Sequence, residues 1–244
     1  MRASGSGQVG QSGLAKPTRT RLRAIAFCIL ATLVSGAAGS IGFASQVTPG
    51  LIASYTRSFG AATRERLASW VEFARVQKSA PRVKRLLESP ATEVEALQTV
   101  NSYFNRIPFV ADSTHWSAED YWATPAETVG SNGGDCEDYS IAKYFLLKEA
   151  GIPIDRLRIT YVKATKLNQA HMVLAYYAAP GSEPLILDNL EDRVRPASDR
   201  PDLVPVYSFN DDDVVLVRDS RKSNPRQIRA WRDLLAKLEA ETRL

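Results

Sequence analysis

The amino-acid sequence predicts an α+β fold in which helices come first and a mainly antiparallel sheet follows. Up to about residue 150, apolar residues recur at the three- and four-residue spacing of amphipathic helices. After that point, short runs rich in β-branched and aromatic residues predominate. Pro180, Gly181 and Ser182 separate two of these runs, which indicates an antiparallel hairpin. Such segregation of helices from strands is typical of α+β domains.

Two helices are predicted in the N-terminal half. The first covers Ser54 to Gln77, where apolar residues keep helical spacing and charged residues fit a solvent-facing side. The second covers Thr92 to Asn105, with Thr92 as N-cap and Glu95 completing a capping box. Pro108 ends this helical region.

A third helix is predicted to begin at about Asp135 and to end where Gly151 and Pro153 follow it. The preceding residues, 109–134, are predicted to form a long loop. This loop contains Trp122 and other aromatic residues, so it is expected to do more than connect two helices.

Four strands and a C-terminal helix are predicted in the rest of the chain. The strands are Leu157–Lys163, His171–Tyr177, Leu185–Asp188 and Val214–Val217. An amphipathic helix is expected after Pro225. No repeat or long linker follows residue 45, so residues 45–244 are predicted to form a single domain.

Residues 1–44 have the layout of a secretory signal peptide. Five basic residues precede an apolar run from Ala24 to Val34, and small residues lead up to Ser45. Residues 1–44 contain no acidic residue. An uncleaved membrane anchor is the alternative, because Ala24 to Ala44 is about long enough to span a bilayer. Either interpretation places the rest of the chain outside the cytoplasm.

The formal net charge of +4 does not indicate a nucleic-acid-binding protein. Subtracting the five positive charges of residues 1–44 leaves a net charge of −1 for residues 45–244. The expected mature domain therefore offers no electrostatic attraction for a phosphate backbone, and no nucleic-acid partner is predicted.

Cys136 is the most informative residue of the chain. Cys28 lies in the apolar segment and is expected to be removed, so Cys136 would be unpaired in an oxidising compartment, as a reactive thiol or in an intermolecular disulfide. It opens the third helix, whose dipole favours a thiolate at this end. Asp135, Glu137 and Asp138 act in the opposite direction, because neighbouring negative charge raises the pKa of a thiol.

A cysteine nucleophile needs a base and a group that orients the base. The chain has two histidines, of which His171 opens a predicted strand and is followed by Asp188 at the end of the next strand. Opposite ends of antiparallel neighbours meet, so Cys136, His171 and Asp188 could form a catalytic triad. Each also has a structural interpretation: a core cysteine, a core histidine and a turn aspartate. His115, in the aromatic loop, is a substitute candidate for the base.

The three carboxylates around Cys136 allow three interpretations. They could stabilise the N-terminus of the helix, bind Ca²⁺ with further oxygen ligands, or recognise a basic residue of a substrate. We favour Ca²⁺ bound by Asp135, Glu137 and Asp138, because a dication would compensate the negative charge beside the thiol.

Four blocks of this sequence resemble the bacterial transglutaminase-like cysteine proteinases of the LapG type. The resemblance covers about residues 50 to 220 and implies a papain-like, transglutaminase-like cysteine protease fold. The blocks are Gly133–Tyr144, His171–Tyr176, Leu187–Leu190 and Tyr207–Asn210.

The resemblance also implies a function. Cys136 matches the nucleophile, His171 the base and Asp188 the orienting acid, while Asp135 and Glu137 match calcium ligands and Asp138 does so less closely. Trp122 lies where the family has an aromatic residue near the site, which could contact substrate or receptor or simply pack in the core. Members of this family are periplasmic, calcium-dependent endopeptidases that clip the N-terminal region of a large surface adhesin and so disperse a biofilm. An inner-membrane receptor for cyclic di-GMP sequesters the protease.

Two other functions are compatible with the same residues. A transglutaminase or amide hydrolase on this scaffold would share the three catalytic residues. A periplasmic binding module would keep the fold without turnover.

Overall fold

The computed structural model describes residues 44–78, 90–218 and 220–244 of the chain. The predicted signal peptide therefore lies outside the described residues, apart from Ala44. All described residues belong to one compact unit. Within the described ranges, each helix is too short or too polar to cross a membrane.

Seven α-helices lie within the described ranges. They are α1 (Pro49–Phe59), α2 (Thr63–Gln77), α3 (Pro90–Phe104), α4 (Asp112–His115), α5 (Pro125–Ser131), α6 (Cys136–Glu149) and α7 (Arg229–Glu241).

The strands form one antiparallel sheet. They are β1 (Leu157–Ala164), β2 (Gln169–Tyr176), β3 (Leu185–Leu187), β4 (Arg195–Pro196), β5 (Leu203–Phe209), β6 (Val214–Leu216) and β7 (Lys222–Ser223). Their order across the sheet is β4-β3-β2-β1-β5-β6-β7. The predicted α+β class, with N-terminal helices and an antiparallel sheet, is thereby confirmed.

The single helix predicted from Ser54 to Gln77 is wrong, because the structure has two helices there. The Thr48 hydroxyl accepts a hydrogen bond from the Leu51 N–H at 3.0 Å, and so caps α1 well before Ser54. Gly60 then ends α1 with φ +93°, a backbone conformation that glycine adopts without steric cost.

The predicted start of the second helix is also wrong. This helix, α3, begins at Pro90, so Thr92 lies within its first turn and is not the N-cap. Proline suits the first position of a helix because the N–H that it lacks would have no partner there.

The predicted loop 109–134 contains the short helices α4 and α5. Thr124 caps α5 by accepting a hydrogen bond from the Glu127 N–H, while the Glu127 carboxylate accepts one from the Thr124 N–H. This capping box fixes the chain just after Trp122, close to the start of α6.

Helix α6 is the central element of the core. Its residues from Asp138 to Leu147 are all buried, as expected of a helix enclosed on every side. It contacts β1 and β2 on one side and α3 and α5 on the other. The residue at its N-terminus is therefore held against the sheet.

Three strands were not among those predicted: β4, β5 and β7. In β5, Tyr207 pairs with Tyr161 and Pro205 pairs with Val162, so Val206 is an extra residue in a β-bulge. Proline and a bulge interrupt the alternation by which a strand is recognised in a sequence. β5 nevertheless completes the sheet on the far side of β1.

Candidate active site

Cys136 is the first residue of α6 and is half-buried. Asp135 precedes it as the N-cap, and the Asp135 N–H donates to Asp138 Oδ2 at 3.3 Å. Gly134 lies so close to Asp138 that a Cβ at this position would be 2.9 Å from the Asp138 Cβ. The glycine before the acidic turn is therefore required by close packing, and it lets the turn fold tightly in front of the thiol.

His171 and Asp188 form a buried pair. His171 is the third residue of β2, and Asp188 directly follows β3, which pairs with the other end of β2. The distance from His171 Nε2 to Asp188 Oδ1 is 2.8 Å, and the two residues are 3% and 1% exposed. The structure thus brings together the two side chains that the hairpin geometry predicts to meet.

Asp188 is held by a hydrogen bond from Leu190 and an ion pair with Arg200 besides its contact with His171. The Leu190 N–H donates to Oδ1 at 3.0 Å, and Arg200 Nη2 lies 2.8 Å from Oδ2. Burial by itself would raise the pKa of Asp188, but His171, Leu190 and Arg200 together lower it to about 2. An ionised Asp188 only accepts hydrogen bonds, so His171 Nε2 carries a proton and Nδ1 is left as the acceptor.

Cys136 and His171 line the same cleft, whose volume is about 600 Å³. Trp122 also lines it, and its ring stacks on Phe209 with centroids 5.7 Å apart. Trp122 therefore packs in the core and also borders the cleft, and its contact with substrate or receptor stays a prediction. Asp188 and Arg200 do not line the cleft. Arg200 contacts Asp188, and Asp188 contacts His171, which does line it.

The thiol of Cys136 lies in a negatively charged environment. Its Sγ donates a hydrogen bond to Glu137 Oε2 at 3.0 Å. Burial raises the pKa of the thiol, and the charges of Glu137 and Asp135 raise it further, whereas a hydrogen bond from the Met172 N–H lowers it. The conflict that the sequence predicts is therefore present in the structure.

The acidic cluster is larger than the sequence indicates. Asp112 and Asp120 join it from α4 and from the segment after α4. Oxygen atoms lie within 4.8 Å of one another in the set Asp112, Asp120 and Glu137 and in the set Asp112, Asp135 and Asp138. The structure thus adds two candidate ligands, Asp112 and Asp120, to the three that the sequence predicts.

The residues of this cluster fit a hard cation. Asp112 Oδ1 and Asp135 Oδ1 are buried and have no hydrogen-bond partner. Burial, followed by the charges of Glu137 and Asp138, raises the pKa of Asp135 to about 9, and burial also raises the pKa values of Asp112, Asp120 and Asp138. Partnerless carboxylate oxygens that repel one another are the donor set that Ca²⁺ prefers.

Asp138 differs from Asp112 and Asp135 because both of its carboxylate oxygens have hydrogen-bond partners. Oδ1 accepts from the Ala123 N–H at 2.7 Å and Oδ2 accepts from the Asp135 N–H. Its side chain therefore ties the chain after Asp120 to the start of α6, whether or not it also binds a metal.

His115 is not placed to act as the base. Its Nε2 lies 2.8 Å from Ser131 Oγ, and its ring packs edge-on against Trp116. It does not line the cleft that contains Cys136. His171 is therefore the histidine of the site.

The sequence offers few signals for the residues that were missed. Asp112 and Asp120 lie in the segment interpreted as a loop, and their acidity was the only available signal. Arg200 lies in the connection between β4 and β5, which contains neither a motif nor a periodic pattern.

The comparisons with known proteins agree with this geometry. Residues 62–203 match the family model described as bacterial transglutaminase-like cysteine proteinase. The chain is similar to the solved structures of Legionella pneumophila LapG in its EGTA-treated form, in a form without further description and in its calcium-bound form. The identities are 40%, 40% and 39%, the TM-scores 0.64, 0.63 and 0.62, and the alignments cover 77% of this chain and 95%, 95% and 97% of those chains.

A comparison with curated proteins returned no significant match. The family model covers more than half of the chain, and the Legionella chains are matched over nearly their whole length at 39–40% identity. The chain therefore belongs to the bacterial transglutaminase-like cysteine proteinases.

Proposed function

We propose that this cysteine proteinase is a calcium-dependent endopeptidase of the periplasm that uses Cys136, His171 and Asp188. The observation that carries the proposal is the buried His171–Asp188 pair, whose imidazole borders the same cleft as Cys136. A structural cysteine and a structural histidine–aspartate pair would have no reason to meet at one cleft beneath a helix N-terminus, with the histidine facing the cleft and the aspartate behind it.

The reaction is acyl transfer to water. His171 Nδ1 takes the proton of Cys136 Sγ, and the thiolate attacks the carbonyl carbon of the scissile peptide bond. The imidazolium, held by ionised Asp188, then gives its proton to the leaving amine. Water attacks the resulting thioester with His171 as base, which releases the acid and restores the thiol.

The oxyanion would be stabilised at the start of α6. The first N–H groups of a helix have no partner within the helix, and the N–H of Cys136 is among them. These donors and the helix dipole would face negative charge on the substrate oxygen.

Calcium would be held by Asp135 and Glu137, with Asp112 and Asp120 as further ligands and Asp138 supporting the turn. The ion would supply positive charge that compensates these carboxylates and so removes their effect on the thiol. Two observations support this assignment: the partnerless buried oxygens of Asp112 and Asp135, and the calcium-bound form of a protein 39% identical to this chain.

The substrate we propose is the N-terminal region of a large surface adhesin, whose release would disperse a biofilm. The regulator we propose is an inner-membrane receptor that senses cyclic di-GMP and sequesters the protease. Export by residues 1–44, as a cleaved signal or an anchor, would place the enzyme beside both partners. Support for these assignments comes from the similarity to LapG over almost the whole length of the Legionella chain.

The test is incubation of the mature protein with adhesin N-terminal regions from the same genome, in calcium and in excess chelator, with fragment masses as the readout. We expect two fragments that require calcium and are lost in Cys136→Ala and His171→Gln. His115→Gln is the matched control, because it removes the other histidine, and it should retain cleavage. Fragments from Cys136→Ala would contradict the nucleophile, and full activity in chelator would contradict the calcium requirement.

Other products would support another function. Cross-linked or deamidated protein without chain scission would indicate a transglutaminase or amide hydrolase. A Cys136 thiol that does not react with iodoacetamide in calcium would indicate a binding module.

A further inference from the structure

The long strand β2 is paired along only part of one edge. On one side, all of its residues from Gln169 to Tyr176 pair with β1. On the other side, β3 pairs only with Leu174, Ala175 and Tyr176. The edge from Gln169 to Val173 therefore has no neighbouring strand among the described residues.

The pairing of β2 with β1 and β3 shows which main-chain groups face this edge. The Tyr177 N–H donates to the Arg156 carbonyl at 2.8 Å, on the side of β1. Met172 is five residues away from Tyr177, so its N–H and C=O lie on the opposite edge, the one on which β3 pairs with Leu174 and Tyr176. Because main-chain groups alternate between the two edges of a strand, Ala170 directs its N–H and C=O away from β1, as Met172 does.

The chain after β3 leaves this edge uncovered. At Asp188 it turns out of the sheet, with the Leu190 N–H bonded to the Asp188 carboxylate and Asn105 Nδ2 bonded to the Asp188 carbonyl at 2.9 Å. Ala170 is exposed and lines the cleft together with Cys136 and His171. The unpaired edge is therefore one wall of the cleft that contains the thiol.

We propose that the substrate binds in this cleft as an extended strand that pairs with the free edge of β2 at Ala170. The Ala170 N–H would donate to a substrate carbonyl and the Ala170 C=O would accept from a substrate N–H. Met172 and Cys136 line the same cleft as Ala170, so the paired strand would run past the nucleophile. An unpaired edge beside a cleft is suited to bind extended polypeptide by its main chain.

This inference rests on the proposed function and narrows its substrate class. Polypeptide that is already in a helix or a closed sheet has no free main-chain groups for Ala170. The enzyme would therefore cleave segments that are extended and unstructured, such as linkers, and would derive much of its affinity from their main chain. Side chains of the substrate would add selectivity from the cleft walls.

The probe is acetyl-tetraalanyl vinyl sulfone, which alkylates a cysteine thiol. Its side chains are small, so most of its hydrogen bonds to the enzyme would come from its main chain. Inactivation of the wild-type enzyme in calcium is compared for this probe and for versions N-methylated at one amide each. We expect at least one N-methylated version to react about tenfold more slowly, as loss of one hydrogen bond predicts. If every version reacts within twofold of the parent, or if the parent reacts no faster than methyl vinyl sulfone, the proposal is overturned.

The protein side is tested with Ala170→Pro, which removes the N–H that faces the edge and keeps the pairing with β1 through Gln169 and His171. It should slow inactivation by the peptidyl probe about tenfold and leave the rate with iodoacetamide unchanged. Ala170→Ser, which keeps the N–H, is the matched comparison and should lose much less of the rate toward the peptidyl probe than Ala170→Pro.

An Ala170→Pro enzyme with the wild-type rate toward the peptidyl probe would overturn the proposal. If this variant loses its reaction with iodoacetamide as well, its site is disturbed, and the N-methylated series on the wild type decides. Adhesins that remain uncleaved while the probe series behaves as expected would contradict the proposed function and leave the strand pairing supported.

Discussion

Arg200 Nη2 lies 2.8 Å from Asp188 Oδ2, on the carboxylate oxygen that does not contact His171. Arg200 also pairs with Asp202 at 3.2 Å, so it is itself held in place by a second acid. The Asp188 carboxylate is thus held on both of its oxygens. Asp188 can therefore stay ionised and stationary although it is almost fully buried.

Arg200→Gln should weaken this arrangement without removing it. Asp188 would keep His171 and the Leu190 N–H but would lose a charged partner, so we expect kcat to fall about tenfold and the free energy of unfolding to fall by about 1 to 3 kcal/mol. Cleavage kinetics and thermal unfolding measure the two effects. Asp202→Asn is the control, because it leaves the Arg200–Asp188 pair in place and should change kcat less. Equal kcat values for Arg200→Gln and the wild type would refute a role for Arg200 in positioning Asp188.

Asp188→Asn should have a much larger effect on catalysis. An amide can donate to His171 Nε2, which would put the proton on Nδ1 and leave no acceptor for the thiol proton. We expect a loss in kcat of about 10² to 10⁴. Asp192→Asn is the matched control, since Asp192 is an exposed acid in the same loop. Its carboxylate Oδ1 accepts a long hydrogen bond, 3.3 Å, from Asn105 Nδ2. Similar losses in both variants would mean that the loop, and not the Asp188 carboxylate, is what matters.

Calcium should stabilise the fold through residues that are far apart in the sequence. A ligand that binds only the native state, present at about 100 times its Kd, adds about 2.7 kcal/mol to the free energy of unfolding. We expect a calcium-dependent rise in the midpoint of thermal unfolding that is reduced in Asp112→Asn and Asp120→Asn. Glu119→Gln is the control, because Glu119 is exposed beside Asp120 and does not belong to the acidic cluster. A calcium shift unchanged by both Asp variants would remove Asp112 and Asp120 from the site.

The convergence of Cys136, His171 and Asp188 could be predicted from the sequence because local patterns position these residues. Cys136 follows a glycine turn at a helix start, and the hairpin of β2 and β3 is marked by its turn residues, so the approach of His171 and Asp188 follows from strand pairing. Asp112 and Asp120 could not be predicted in the same way. Their position depends on how the segment from Val110 to Ala123 is tied to the start of α6, through Gly134 and Asp138, which no local spacing encodes.

The same distinction explains the errors in the fold. The helix break at Gly60 depends on one positive φ angle, and a lone glycine in a helical pattern does not identify it. β5 was missed because Pro205 and the bulge at Val206 hide its alternation. It forms because β1 presents a free edge on that side, which is a tertiary effect.

Lys143 gives the stability a pH dependence above neutrality. It lies two turns after Cys136 on α6 and is 1% exposed, with its ammonium group 5.7 Å from the ring of Tyr139. Burial lowers the pKa of Lys143 to about 7, although Asp188 and Asp192 act to raise it. Between pH 7 and about 10.5 the unfolded chain binds the proton and the folded chain does not, so this group makes stability rise with pH there, by at most about 1.4 kcal/mol per pH unit.

Lys143→Met should remove that slope. Denaturant unfolding in calcium at pH 7, 8 and 9 should show a flatter pH dependence for Lys143→Met than for the wild type, with the largest gain in stability at pH 7. Lys163→Met, which removes an exposed lysine of β1, is the control and should keep the wild-type slope. Parallel curves for Lys143→Met and the wild type would show that Lys143 is charged in both states.

Glu241 should produce the opposite slope below neutrality. It is a buried carboxyl of α7 that accepts hydrogen bonds from the hydroxyls of Tyr55 and Thr124. Burial raises the pKa of Glu241 to about 7, with a further rise from the charge of Glu127. The folded state therefore binds the proton more tightly than the unfolded state, whose carboxyl titrates near pH 4.5. The stability from this group is complete below pH 4.5 and is lost as the pH rises through 7.

Glu241→Gln tests this sign, because an amide of the same shape stays neutral at every pH. The variant should be more stable than the wild type, and this difference in the free energy of unfolding should grow by about 1 to 3 kcal/mol as the pH rises from 5 to 8. Unfolding measured at each pH for both proteins gives the difference. Glu239→Gln, on an exposed part of the same helix, should follow the wild type at all pH values. Glu241 joins α7 to α1 through Tyr55 and to the segment before α5 through Thr124, and it is the protonated carboxyl that makes both contacts at neutral pH without a buried charge. A variant whose difference from the wild type is the same at pH 5 and pH 8 would mean that this carboxyl remains ionised across the range, held by the two hydroxyls and Lys237 against the cost of burial.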